Sequence, residues 1–374
     1  MRIKHPNNRA KPIDAPAPNT ANRPRLDEVA KLAGVSIATA SRIINRVAIE
    51  RFTPDTQRRV NTAAEQLGYT ANYHGRAMRT GRSQTVGVTF DIYNEDELDG
   101  QEGYNFLTVP YFSGLLSGIE AYLRHHDYRM MLIGADRNNR APEHGVDGLR
   151  QGRLDGLIVL GHVVMDRPDD ILKIAPVGPI VVLGCDRPTL LPTIGLDIDK
   201  GMSLVADHLL TLGHRRVAML SEKKNQQRAV ALERYLKAGG ASLVVIQFES
   251  PKHNEFADRA QQALTRHLME SGDSFTAVAC YNDITAVGAI RALLSRGLRV
   301  PHDVSVVGFD NTTAAVCIPA LTTIDHRLHD LGQLAATRAL ELFNDPSAIS
   351  LRRGQVELLE PRLIISQSSA SLKQ

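Results

Sequence analysis

From residue 84 onward the chain alternates short runs rich in Val and Ile with longer amphipathic stretches. The apolar runs fall at 85–90, 130–133, 156–160, 180–183, 217–220, 277–280 and 304–309. Between them, 111–125, 201–212, 256–269 and 284–296 repeat their apolar residues at helical spacing. Strand following helix in this way implies parallel sheets with helices on both faces, because a parallel crossover has to travel over the sheet. About 290 residues suit two such lobes, and sheets of this kind bind ligands beyond the C-terminal ends of their strands. The expected body is therefore α/β, with two doubly wound parallel-sheet lobes.

What precedes the body differs in charge. Residues 1–82 hold fifteen Lys and Arg against six Asp and Glu, a formal +9, so residues 83–374 carry −6 within the chain's total of +3. A basic module on a mildly acidic body is the asymmetry of a polyanion-binding head. Spacing sharpens this. Leu26, Val29, Ala30 and Ala33 share one helical face, and Gly34 is placed to end that helix in the left-handed conformation. Val35 turns inward and Ser36 caps a second helix over 37–44. Thr53 followed by Pro54 starts a third helix, and Gly68 ends it. Two short helices joined by a tight Gly-containing turn make a helix-turn-helix. The small all-α core expected here comprises Leu26, Val29, Ala33, Val35, Ile43, Val60, Ala64 and Leu67.

Composition excludes several classes. Hydrophobic residues make up 43% and charged residues 23%, enough apolar material for a sizeable core, which rules out disorder of the whole chain. No apolar run approaches the ~18 residues of a membrane span. Residues 1–24 are basic and rich in Pro and Asn, read as a disordered tail, and offer no apolar stretch for a signal peptide. Cys185, Cys280 and Cys317 are too scattered for a disulfide framework or a zinc cluster, which points to a reducing cytoplasm.

The strings LDEVAKLAGVSIATASRIIN (26–45) and TPDTQRRVNTAAEQLGYTAN (53–72) resemble the DNA-binding head of the LacI/GalR family of bacterial transcription regulators. In the body QTVGVTF, GRLDGLIVL, LGHRRVAML, CYNDITAVGAIRAL, GLRVPHDVSVVGFDN and LTTID are similar to the same family, whose body has two lobes like periplasmic sugar-binding proteins. The resemblance implies four segments: a disordered basic tail at 1–24, a helix-turn-helix DNA-binding domain at 25–71, a hinge at 72–83, and an effector-binding and dimerisation domain at 84–374. It also implies a homodimer gripping a pseudo-palindromic double-stranded operator, most often as a repressor, under control of a small-molecule effector.

Site residues follow from the same resemblance. Ile37 and Ala38 open the helix that enters the major groove, and being apolar they suit a thymine methyl rather than a bidentate hydrogen bond. Arg42 is the polar reader, able to donate twice to guanine. Ser36, Thr39, Ser41 and Asn45 match phosphate contacts, which fix register. In the hinge, Asn72, Arg76 and Arg79 accompany Met78, which stands where relatives wedge a Leu into the minor groove. In the body, Arg228 matches an effector clamp, Asn282 a polar contact after its strand, and Asp310 the carboxylate of the GFDN turn. Asp283 serves either as a helix cap or as a ligand. Tyr111 and Phe112 either stack on a sugar ring or belong to the core. A planar donor fork, an amide and an acceptor suit a neutral polyol, with a nucleobase, a sugar phosphate or a protein partner as alternatives.

Departures from the family pattern include Arg25 for a capping Thr, Ala71 for Pro, Gly75 for Ala, and a loop at 46–52 about two residues longer than usual. A long insertion at 91–109 carries six acids between Asp91 and Glu102. It reads as a solvated loop or as a lid over the effector mouth.

Catalysis has no support in the sequence. No Gly-rich phosphate loop, zinc spacing or nucleophile elbow is present, and neighbouring His125 and His126 point apart on a helix. No cofactor and no membrane partner are expected. The rival of another class, a cytoplasmic sugar-binding protein, would have no use for the helix-turn-helix. Met78→Gly should weaken binding to a specific operator while leaving the salt-dependent, non-specific component unchanged in a titration against both duplexes. Equal loss of both would remove the wedge role.

Overall fold

The computed structural model describes residues 24–70, 77, 80–90, 109–134, 141–160, 178–223, 226–250, 255–271 and 274–372. The chain divides into two compact units, 1–82 and 83–374. The tail over 1–23, the hinge residues Asn72, Arg76, Met78 and Arg79, and the acidic insertion up to residue 108 lie outside the described residues.

The first unit contains α1 (Leu26–Ala33), α2 (Ile37–Ile44) and α3 (Pro54–Leu67). Gly34 closes α1 at φ 65°, and the amides of Gly34 and Val35 return to the last carbonyls of the helix. Ser36 Oγ accepts from Thr39 N at 3.0 Å, and Thr53 Oγ1 accepts from Thr56 N at 3.3 Å. Arg25 has no acceptor to offer α1, so only half of a capping box forms, with Arg25 N donating to Glu28 Oε2 at 2.9 Å. Val29, Ala30, Ala33, Ala40, Ile43, Val60, Ala63 and Ala64 form the buried core, sealed by Leu26, Val35, Phe52, Leu67 and Tyr69. The alanines allow three short helices to approach closely around so few side chains.

The second unit contains two six-stranded sheets. The first has the order β11-β5-β4-β3-β1-β2, from β1 (Thr85–Phe90), β2 (Arg129–Gly134), β3 (Gly156–Leu160), β4 (Ile180–Leu183), β5 (Thr193–Leu196) and β11 (Val356–Leu359). The second has the order β12-β10-β9-β8-β6-β7, from β6 (Arg216–Glu222), β7 (Ser242–Phe248), β8 (Ala277–Cys280), β9 (Ser305–Asp310), β10 (Thr322–Asp325) and β12 (Arg362–Ile364). All pairings are parallel except β10 with β12. In each sheet the order reverses beside the first strand, between β1 and β3 and between β6 and β8, and a crevice opens at such a switch point.

Helices α4 (Pro110–His125) and α5 (Ala141–Arg150) belong to the first lobe. Helices α6 (Ile198–Thr211), α7 (Gln227–Ala238), α8 (Phe256–Glu270) and α9 (Asp283–Ser295) belong to the second. The chain then returns, since α10 (Leu328–Asn344) packs along α4 and on β3 and β4, and a short α11 (Ser347–Arg352) leads into β11. Between β5 and α6, between β10 and α10, and between β11 and β12 the backbone therefore passes from lobe to lobe. Among the described residues no helix is long and apolar enough to cross a membrane.

The return of α10 depends on glycine. A Cβ on Gly118 of α4 would lie 1.9 Å from the His329 carbonyl oxygen, and one on Gly332 of α10 would lie 2.1 Å from the Leu115 carbonyl oxygen. The helices meet backbone to backbone, and any side chain at these positions forces them apart. Gly118→Ala should destabilise the body by about 1–3 kcal/mol, the usual cost of overpacking, in urea or thermal unfolding. An unchanged midpoint would mean that the crossing is looser than its geometry.

Candidate functional site: a DNA-facing helix and an inter-lobe crevice

In the first unit, α2 buries Ala40 and Ile43 and turns the opposite face outward. Ser36, Ile37, Ala38 and Arg42 are exposed, while Thr39, Ser41 and Asn45 are half-buried. Ile37 is 55% exposed, an unusual position for a large aliphatic residue on a small domain unless something covers it. Several hydroxyls already have local work. Ser36 caps α2, Thr39 Oγ1 lies 2.9 Å from Ser36 Oγ, and Asn45 Nδ2 donates to Ser41 O at 2.7 Å. Caps and phosphate contacts are compatible, since a hydroxyl has one donor and two acceptor positions.

In the second unit the candidate effector residues gather at strand C-termini. Asp310 ends β9 at φ 99°, followed by Asn311 at φ 55°, so the turn after the strand is left-handed at two non-glycine residues. This aims the Asp310 carboxylate back into the crevice. Its Oδ1 lies 3.0 Å from His326 Nδ1 and 3.8 Å from Arg228 Nη2. The Arg228 guanidinium is stacked over two rings, 3.9 Å from the Phe309 centroid and 4.6 Å from that of Tyr281, and donates to the Tyr281 carbonyl. Stacking and the carbonyl bond fix the plane of the fork. Tyr111 meets His326 edge-on at 5.2 Å, and lost solvation followed by the Asp310 charge raises its phenol well above the usual range. It therefore acts as a neutral hydrogen-bonding hydroxyl.

The structure gives local partners to three of the candidate positions. Asn282, rather than Asp283, caps α9, with its Oδ1 accepting from Thr285 N and Thr285 Oγ1, both at 2.8 Å. Only its amide nitrogen is left for a ligand. Asp283 is fully buried and accepts from Thr312 N at 2.7 Å, Thr313 N at 3.2 Å and Thr323 Oγ1 at 2.6 Å. It braces the loop beyond Asp310 and has no surface for an effector. Phe112 packs edge-on to Tyr111 at 5.4 Å and against the apolar core, the core alternative for this residue. Asp197, another acid near the crossover, caps α6 through Lys200 N at 2.8 Å.

The structure also brings in residues that spacing did not single out. His326 directly follows LTTID, Tyr281 lies within CYND and Phe309 within GFDN, so each adjoined a quoted string. Gln227 reaches the other lobe, donating to Asp186 Oδ2 at 3.2 Å while accepting from Arg187 Nη2 at 2.8 Å. It precedes Arg228, so a candidate effector residue and a lobe-to-lobe bond share the first turn of α7. A cleft of about 600 Å³ adjoins this group through Asp310, lined also by Ser113, Ser117, Asp325, Arg327 and Arg362. Tyr111, Arg228 and Asn282 are not on its walls. Among the described residues no group of three His, Cys, Asp or Glu could hold a metal ion.

Burial, and then the charge of Asp310, push the Asp283 carboxyl up to about 6 against the pull of its hydrogen bonds. The folded state thus binds this proton more tightly than the unfolded chain, and the carboxylate subtracts stability as pH rises from about 4 to about 6, above which the loss is complete. Asp283→Asn should flatten the decline in melting temperature between about pH 4 and 7, a contribution on the order of 1–3 kcal/mol. A variant with the wild-type pH slope would show that other groups set it.

Comparison with known proteins gives two family matches. Residues 25–72 match the family of bacterial regulatory proteins, lacI family, and residues 206–369 match the periplasmic binding protein-like domain. The uncharacterized HTH-type transcriptional regulator YvdE of Bacillus subtilis is 30% identical over 350 residues, covering 92% of this chain and 99% of that one. The lac repressor dimer bound to operator and the anti-inducer ONPF superimposes with a TM-score of 0.75 at 25% identity, covering 93% of this chain and 99% of the other. A LacI family regulator from Enterococcus faecium with bound ribose aligns with a TM-score of 0.59 at 25% identity, over 77% of this chain and all of that one. With a capped helix-turn-helix, two parallel-sheet lobes and a relative matched over nearly its full length, the chain belongs to the LacI family of bacterial transcription regulators, sequence-specific DNA-binding proteins rather than enzymes.

Proposed function

We propose that this regulator is a homodimeric repressor whose effector is a neutral, hydroxyl-rich molecule of the sugar class, held in the crevice by Arg228, Asp310, Tyr111 and Asn282. The observation that carries the reading is the pairing of Arg228 with Asp310 at 3.8 Å, the guanidinium being stacked over two aromatic rings. The guanidinium already faces a carboxylate, so a phosphate would have to displace Asp310 or sit beside its charge. Vicinal hydroxyls have no such conflict. They donate to Asp310, accept from Arg228 and the Asn282 amide, and lie against aromatic faces. The ribose-bound relative is consistent with this class.

On the head, Ile37, Ala38 and Arg42 read base edges in the major groove, while Ser36, Thr39, Ser41 and Asn45 contact phosphates. The hinge residues Asn72, Arg76, Met78 and Arg79 contribute the minor-groove contacts. Control follows from linkage: an effector changes operator affinity only by the difference in its own affinity for the DNA-competent and incompetent states. Gln227 supplies a physical route, because a ligand that moves Arg228 also moves the neighbouring bond to Asp186 on the other lobe.

A thermal-shift screen against neutral sugars, sugar phosphates and nucleobases tests the reading. A ligand at 100 times its Kd stabilises the fold by about 2.7 kcal/mol. The expected result is a shift with a neutral sugar, lost in Arg228→Ala, whose operator binding persists without an effector response. Shifts confined to nucleobases or sugar phosphates would overturn the sugar class, and a wild-type response in Arg228→Ala would remove that residue from the site.

A further inference from the structure

Asp155, the residue before β3, is 3% exposed and has no ion pair among the described residues. Its carboxylate takes three hydrogen bonds from two consecutive residues, the last of the 72–83 hinge and the first of the body. Oδ1 accepts from Ser83 N at 2.7 Å and from Ser83 Oγ at 2.8 Å, and Oδ2 accepts from Gln84 N at 2.8 Å. Ser83 is buried as well, and its Oγ accepts from Thr85 N at 3.3 Å. Gln84 sits at φ 47°, a region non-glycine residues occupy only when their surroundings fix them there, and its carbonyl accepts from Arg129 N at 2.9 Å.

The fold alone does not call for an acid here. The two sheets share a strand order, so β6 and β8 correspond to β1 and β3. Val86 faces Gly156 in the first and Val217 faces Ala277 in the second, which aligns Thr85 with Arg216 and Asp155 with Thr276. The backbone bond is the same in both: Asp155 N donates to Thr85 O at 2.8 Å, and Thr276 N donates to Arg216 O at 2.9 Å. The side chain differs. Thr276 is neutral, and its Oγ1 meets His214 Nδ1 at 2.9 Å, side chain to side chain. A buried carboxylate loses hydration that its hydrogen bonds have to replace, a cost the second lobe does without. What sets the first lobe apart at this point is that the chain arrives there from the other compact unit, whose boundary falls between Arg82 and Ser83.

We propose that Asp155 is a positioning residue for operator recognition, fixing the point at which the hinge joins the body so that the two hinges of a dimer stand at the separation a specific operator requires. The inference rests on the proposed reading of the hinge as a minor-groove element. A firm attachment orders the chain before binding and keeps the second head at a high effective concentration once the first has bound. A loose attachment forfeits that gain only where both half-sites must be matched. Binding to unselected DNA depends on the number of phosphates neutralised and has no such requirement.

The test uses the full chain, a duplex selected by the wild-type protein from a randomised library, and a random-sequence duplex of equal length. Asp155→Asn keeps the shape of the side chain but turns an amide N–H toward one of its donors, and Ser83→Ala removes the hydroxyl bond alone. Asp155→Asn should lower the ratio of selected to random affinity about tenfold, the scale of one hydrogen bond to a charged group. Ser83→Ala should lower it in the same direction by less. The random duplex should keep its affinity and its salt slope in both variants. Gly118→Ala, which strains the α4–α10 crossing without touching the anchor, should leave the ratio unchanged, separating positioning from loss of body stability. Circular dichroism melts identify any variant that no longer folds, and Ser83→Ala reports independently of Asp155→Asn. A wild-type ratio in every folded anchor variant overturns the proposal, as does an equal loss on both duplexes or a lowered ratio in Gly118→Ala. A wild-type protein that selects no duplex, or a wild-type ratio in Met78→Gly, would instead overturn the reading of the head and hinge on which the proposal rests.

Discussion

The crevice is organised around one carboxylate. Asp310 stands at the end of a central strand in a left-handed turn, and every charged or aromatic group of the candidate site is placed with reference to it. Arg228 comes from α7, His326 from beyond β10, and Tyr111 from α4 in the other lobe. Their sequence separations are large, and only the parallel topology, which delivers strand ends to one side of each sheet, brings them together. Asp283 underlies this arrangement. By accepting from two amides of the loop after Asp310 it sets where that loop runs, and it does so ionised near neutral pH despite its burial and the neighbouring negative charge. That is a strained electrostatic arrangement, stabilised by three hydrogen bonds.

Much of this was legible in the sequence, for identifiable reasons. The helix caps of the head, Gly34, Ser36, Thr53 and Gly68, are local chemistry, and a local signal survives in a linear string. The central strands β3, β4 and β8 are buried on both faces and read as uninterrupted apolar runs. The peripheral strands were not visible. β11 and β12 are four and three residues long and exist because a distant partner supplies their ladder. Helix α10 escaped for a different reason, since its contact with α4 is a seam of small residues rather than a stripe of large apolar ones.

The candidate site was legible in part. Arg228, Asn282 and Asp310 stand within strings that mark the family, and the fold gathers the elements bearing them. Which residue caps, which braces and which faces the crevice could not be read from spacing. Asn282 and Asp283 are adjacent, chemically similar and equally suited to a helix N-terminus, and only the path of the loop after β9 separates their roles. Gln227 was invisible because its partner, Asp186, lies on another lobe with no pattern linking the two positions.

The threefold passage of the backbone between lobes has a consequence for biosynthesis. The head closes its core with contacts that all lie within 26–69, so it can fold as soon as it leaves the ribosome. The first lobe begins at Thr85, but its sheet lacks an edge until Val356–Leu359 has been made, and α4 lacks its glycine-seam partner until α10 emerges. Such long-range closure is slow to form. A nascent chain thus holds a finished DNA-reading module well before it has a completed crevice, and the order of synthesis places recognition ahead of its control.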